Sequence, residues 1–326
     1  MIEKMCDFPE IYRVEVTLPN NPLKYLNSYM IKGKQRHLVI DTGFNLPECQ
    51  RDLCQGMHEV GIELERTDLF LTHLHADHTG LVHLFSQAKC PIYMHGDDFD
   101  FLVQAQIGTM WKKAENHFME EGMPEEDIKV QFSNYARAYS PKVDFLAHCV
   151  GNGQMLLLAD EWFQVIHTPG HTKGQCCLYL PKQEILFTSD HILFDITPNI
   201  QQWANMKDAL GKYRQSLDLI KDLPVSLALP GHRQWRRSIK ERVTALQLHH
   251  DKRLEEVYQI IKMQGEITAF DIAGSMHWSM RGMTWDVFPP TQKWFAMGEA
   301  LAHIEYLCYR GIIKREEDKG IYYYHL

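Results

Sequence analysis

Four side chains able to bind a metal fall within six positions: His73, His75, Asp77 and His78, in the stretch Thr72-His73-Leu74-His75-Ala76-Asp77-His78-Thr79-Gly80. Neutral imidazoles and one carboxylate suit zinc or a similar borderline divalent cation, and Asp77 with His78 add capacity for a second ion. The apolar run Leu69-Phe70-Leu71 comes directly before. A strand ending there would place the ligands on a loop at a sheet edge, where side chains can converge on one point.

One cluster does not fill two coordination spheres, and three stretches downstream supply more candidates. Gln164-Val165-Ile166-His167-Thr168-Pro169-Gly170-His171-Thr172 is an apolar strand running into a Pro-Gly turn with His171 beyond it. Ile185-Leu186-Phe187-Thr188-Ser189-Asp190 is a buried-type strand ending in an acid, and Leu227-Ala228-Leu229-Pro230-Gly231-His232 repeats the strand, Pro-Gly, His pattern.

In this order, together with Asp41-Thr42-Gly43 after Leu38-Val39-Ile40, the motifs resemble the metallo-β-lactamase superfamily of hydrolases over residues 25–235. Within it the chain resembles the glyoxalase II-like branch and the branch of β-lactamase-like protein 2. The resemblance implies a four-layer αββα sandwich. It also implies one metal on His73, His75 and His171 and a second on Asp77, His78 and His232, with Asp190 bridging. Zinc is the expected ion, with iron or manganese as alternatives. A cysteine near the bridging position would mark the true β-lactamases, but Asp190 stands there. An acid in place of His75 would mark the oxygen-reducing di-iron branch.

Two cations held about 3.5–4 Å apart would activate a water as nucleophile while one polarises the scissile carbonyl or phosphoryl oxygen. Asp190 or Asp77 would orient that water, so the catalytic candidates are Asp77 and Asp190. The reaction class is hydrolysis, and the fold alone does not choose the substrate.

The elements that must position these residues can be read around them. Ile11 to Leu18, Ser28 to Ile31, His37 to Ile40 and Pro91 to His95 have strand patterns. Helices are expected over Leu46 to Val60, Gly80 to Gln87, Asp208 to Leu223 and Ile239 to Lys262. His95, at a strand end, reads as structural. Residues 96–145 place Phe99, Phe101, Leu102, Met110, Trp111, Phe118, Met119 and Phe132 among charges at helical spacing. This is a helical insertion, too long for a plain connection. Its Trp111 and Met110 are candidates to contact an acyl tail, and Arg233, Arg236 and Arg237, after the last ligand, are candidates for an anionic handle.

At 326 residues the chain has room for a catalytic unit, 1–247, and a small winged-helix-like α+β unit, 248–326. The second unit holds short helical patterns and then two strands in Gly311-Ile312-Ile313-Lys314-Arg315 and Gly320-Ile321-Tyr322-Tyr323-Tyr324. Residues 251–326 carry nine Lys/Arg against eleven Asp/Glu, so the footprint of a nucleic-acid binder is missing and the tail reads as a packing or homodimerisation element. The net charge is −8, no apolar run of membrane-spanning length occurs, and Met1 to Asp7 has no signal-peptide pattern. Eight scattered cysteines then read as reduced thiols of a cytoplasmic protein. A small-molecule acyl or thioester substrate accounts for the most features. A phosphodiesterase or ribonuclease, a lactonase, and a non-catalytic binding module are the competing classes.

Overall fold

The structure is a computed structural model describing residues 1–130, 135–234, 238–280 and 282–326. Two mixed β-sheets face each other at its centre. The first runs in spatial order β1 (Ile2–Cys6), β2 (Glu10–Thr17), β3 (Tyr25–Lys32), β4 (His37–Ile40), β5 (Thr67–Phe70), β6 (Ile92–His95) and β7 (His148–Val150). Its pairing is antiparallel from β1 to β4 and parallel from β4 to β7. The second is ordered β12 (Leu227–Pro230), β11 (Ile185–Ser189), β10 (Cys176–Leu180), β9 (Glu161–His167) and β8 (Met155–Leu158), and only β11 with β12 is parallel. Every residue of β10 and β11 is buried, as expected of central strands covered on both faces.

Between the sheets lie Ile11, Tyr29, Ile31, Phe70, Phe163, Leu178 and Phe187, with Tyr29 edge-on to Phe187. Helices cover the outer faces. On the first sheet, α1 (Pro47–Val60) starts with Pro47 in its first turn and stops at Gly61 in the left-handed conformation. It buries Cys49, Leu53, Met57 and Val60. The short helices α2 (Ala76–Thr79) and α3 (Val82–Gln87) follow β5. The expected insertion consists of α4 (Gly96–Gln106), α5 (Thr109–Glu120), α6 (Glu125–Lys129) and α7 (Tyr135–Ala138). On the second sheet sit α8 (Ala209–Lys221) and α9 (Ile239–Gln264). The result is the expected four-layer αββα sandwich. Edge strands β1 and β7 are additions to the sequence reading. Both are short and half-exposed, so neither has the apolar run that betrays the central strands.

Helix α9 passes without a break through residues 247 and 248. It carries the chain to α10 (Ala269–Ser275), α11 (Pro290–Tyr309) and the hairpin β13 (Lys314–Asp318) with β14 (Ile321–His325). Eleven residues of α11 are buried, spread around its circumference, so it packs inside the molecule rather than on its surface. Polar ties join the tail to the rest. Lys293 Nζ lies 3.1 Å from Asp127, and the buried Tyr324 hydroxyl donates to Glu121 at 2.8 and 3.0 Å.

Candidate metal centre

The seven expected ligands meet at one end of the sandwich, each on a segment that follows a strand. His73 and His75 follow β5, and Asp77 and His78 occupy the first turn of α2. His171 follows β9, Asp190 follows β11 and His232 follows β12. Three imidazole nitrogens converge first: His75 Nδ1 is 3.0 Å from His73 Nε2 and 2.9 Å from His171 Nε2. A tetrahedral ion with metal–nitrogen bonds near 2.0–2.1 Å spaces its ligand atoms about 3.3 Å apart, so this triad is close to ligand geometry.

The second group gathers Asp77, His78 and His232, with His232 Nε2 3.4 Å from Asp77 Oδ2. Asp190 stands between the groups. Its Oδ1 is 3.6 Å from His78 Nε2, and its Oδ2 is 3.7 Å from His171 Nε2 and 3.6 Å from His232 Nε2. The buried atoms His78 Nε2, His232 Nε2 and Asp190 Oδ1 have no hydrogen-bond partner. Buried polar atoms are seldom left so, and a cation is the partner that suits two imidazoles and a carboxylate at once. The residues present therefore fit a pair of divalent ions.

The far nitrogens are held by partners that set their tautomers. His171 Nδ1 donates to the Asn199 carbonyl at 2.8 Å, and His232 Nδ1 to the Tyr25 carbonyl at 2.9 Å. His78 Nδ1 lies 2.7 Å from Asp41 Oδ2, and Asp41 also accepts from the Thr72 backbone and hydroxyl. Asp41 was visible in the sequence only as part of the Asp-Thr-Gly motif. The carbonyls of Asn199 and Tyr25 carry no side-chain signal at all. Gly231 is needed for close approach: a Cβ there would lie 2.6 Å from Asp190 Oδ1 and 3.0 Å from the His78 ring.

Electrostatics divides the cluster in two. Burial, followed by neighbouring imidazoles, drives His73 well below the usual histidine range and lowers His75 to about 3, and burial also lowers His171. These rings keep their lone pairs free. Burial alone would lower His78 and His232 too. It is outweighed at His78 by Asp41, Asp190 and Asp77, and at His232 by Asp190 and Asp77, so both are raised. Burial would raise the acids, yet the histidines hold Asp77 down to about 2 and Asp190 lower still. A divalent cation would replace the protons held there.

The cluster opens into a cavity of about 500 Å³. His75, Asp77, His171 and Asp190 stand at one end, and its walls include Phe101, Met110, Trp111, Phe118, Trp203 and Trp294. Met110 and Trp111 are among the residues lining this cavity. Trp203 and Trp294 went unrecognised as lining residues, because each is an isolated aromatic outside any motif. Arg233 does not line the cavity. Its guanidinium donates to the Pro22 carbonyl at 2.9 Å, and it borders a separate groove. Arg236 and Arg237 lie outside the described residues, as does Phe132.

His95 belongs to another cluster, with Asp97 and His167. Its ring stacks on His167 at 4.1 Å and 12°, so their in-plane lone pairs run side by side, and Lys173 already pairs with Asp97 at 2.7 Å.

An αββα sandwich with strand-end histidines and a shared carboxylate defines a class of metal-dependent hydrolases. The Metallo-beta-lactamase superfamily profile matches residues 23–232, and that of the Metallo-beta-lactamase-like C-terminal domain matches residues 254–326. The chain belongs to the metallo-β-lactamase superfamily and is a hydrolase of it. It is 25% identical over 294 residues to a Beta-lactamase-like protein 2 homolog of Caenorhabditis elegans, covering 86% of this chain and 81% of that one. It is 23% identical over 221 residues to Acyl-coenzyme A thioesterase MBLAC2 of Bos taurus, covering 63% and 72%. Its match to a lactamase-like protein of Emericella nidulans spans 61% of that relative's length. A metallo-beta-lactamase family protein from Thermus thermophilus superposes with a TM-score of 0.81 at 26% identity, covering 97% and 98%.

Proposed function

We propose that the chain is a binuclear, zinc-type hydrolase of thioesters, or related esters, of apolar acyl groups. The observation that carries this is the continuity of the ligand cluster with the aromatic-walled cavity. No Lys or Arg lines that cavity among the described residues. Beyond the ions themselves a phosphodiester would find no cationic side chain along the walls, whereas an acyl chain finds Phe101, Trp111 and Trp294. An anionic handle therefore belongs on the leaving group, outside the walls. A relative named as an acyl-coenzyme A thioesterase supports the same substrate class.

When bound, two divalent ions supply Lewis-acid polarisation of the carbonyl and an attacking water of near-neutral pKa. The chain's residues do the rest. His73, His75 and His171 would hold one ion and Asp77, His78 and His232 the other, with Asp190 shared. Asp77 and Asp190, both held ionised, accept the hydrogen bonds that orient the attacking water. The aromatic walls exclude bulk water and fix the acyl group, so that its carbonyl is delivered to the His75, His171 and Asp190 end. A panel of acyl thioester, bis-phosphodiester and lactone substrates, each with and without chelator, tests the proposal. Chelator-sensitive turnover of the thioester above the other two is expected. Preferred turnover of the phosphodiester would overturn the assignment.

A further inference from the structure

Asp98 belongs to none of the ligand motifs. It lies in the first turn of α4, three residues beyond the cap His95, a position where an acid commonly folds back onto its own helix end. Its carboxylate does something else. It is fully buried and filled by three donors from two other segments. Oδ2 accepts from the Leu74 backbone at 2.9 Å and from the Thr172 hydroxyl at 2.7 Å, while Oδ1 accepts from the Gly174 backbone at 2.6 Å. Leu74 lies between His73 and His75, and Thr172 follows His171. All three residues of one ligand triad thus stand on segments fastened to this carboxylate. Asp77 and His78 on α2 and His232 beyond β12 make no contact of this kind with it.

The approach is close enough to restrict the sequence. A Cβ at Gly174 would come within 2.7–2.8 Å of Asp98. A helix acid needed only to stabilise its helix would not require a second loop pressed against it.

We propose that Asp98 is a positioning residue for one of the two metal sites, clamping the 72–75 and 171–174 segments so that His73, His75 and His171 meet at one point. The inference rests on the binuclear reading of the cluster. The two carboxyl oxygens together accept all three hydrogen bonds. An amide in its place turns an NH₂ toward at least one donor, so one contact becomes a repulsion. Partners that orient metal ligands typically change affinity by about ten- to a hundredfold when removed. Here the loss falls on one ion only.

The test is stepwise removal of zinc from the zinc-loaded full-length protein with increasing chelator, the ions retained being counted by elemental analysis. Asp98→Asn should release one ion at about ten- to a hundredfold lower chelator than wild type and the other as wild type does. Thr172→Val, which deletes a single donor without changing shape, should shift the same ion less, and it carries the test if Asp98→Asn does not fold. Release of both ions as in wild type would overturn the proposal. So would equal weakening of both with a lower melting temperature of the metal-free protein, the mark of a purely structural residue. A wild-type protein that retains no ions would instead remove the binuclear reading beneath it.

Discussion

The ligand cluster and the cavity wall meet at His75 and Asp190, yet the chain builds them by opposite means. Each candidate ligand lies on a segment that leaves the end of a strand, with Asp77 and His78 in α2, so the sheets fix where these segments start. The wall is assembled from Phe101, Met110, Trp111 and Phe118 of the insertion, Trp203 of a loop, and Trp294 of α11. Helix packing, not strand ends, brings these together. On the proposed function, bond cleavage would then rest on segments anchored to the sheets and substrate choice on the packing of the insertion and α11.

If that division holds, substitutions in the two regions fail differently. The largest effect belongs to the shared carboxylate. Asp190→Ala should lose at least one ion and lower turnover about a thousandfold or more for every substrate, with the fold intact by circular dichroism. Near-wild-type turnover would mean that the bridge is misplaced. Trimming the wall should be selective. Trp111→Ala should raise KM for a long-chain acyl thioester by about tenfold, leave a short-chain one nearly unchanged and keep the metal content, since each buried methylene is worth about 0.8 kcal/mol. Equal effects on both chain lengths would detach the cavity from the acyl group.

Smaller effects should come from the ties that hold the wall in place. Tyr324→Phe leaves the buried Glu121 without its donor and should cost about 1–3 kcal/mol of stability by chemical denaturation. Glu121 itself has a pH signature. Burial pushes its carboxyl up from the ordinary 4.5 to about 7, against the pull of the Tyr324 hydroxyl. With the folded value above the unfolded one, its favourable contribution is complete below about 4.5 and is lost as pH rises through about 7. The melting temperature of Glu121→Gln should therefore gain on that of wild type between about pH 5 and pH 8. A constant gap would mean that Glu121 does not titrate in this window.

How much could be read from the sequence follows the same division. The seven candidate ligands were legible because His-x-His-x-Asp-His, the two Pro-Gly-His turns and Ser189-Asp190 follow apolar strands. The helices α1, α8 and α9 announced themselves by apolar spacing. Asp98 was not legible: an acid in a first helical turn looks like ordinary dipole compensation, and only the fold shows three foreign donors on it. Trp203 and Trp294 were hidden because a wall aromatic and a core aromatic are the same residue until neighbours are known. Arg233 stands apart from the wall. Its place next to His232 suggests the site; its backbone turns into the left-handed region, φ 64°, and its guanidinium donates to the carbonyl of Pro22, a residue of the cavity lining.

The most direct test of the central claim is metal stoichiometry, measured together with activity. Protein purified after metal-replete expression should contain about two divalent ions per chain by elemental analysis, and their removal by chelator should abolish thioester hydrolysis, with recovery on adding zinc back. One ion or none, or hydrolysis that persists after the ions are gone, would contradict the account.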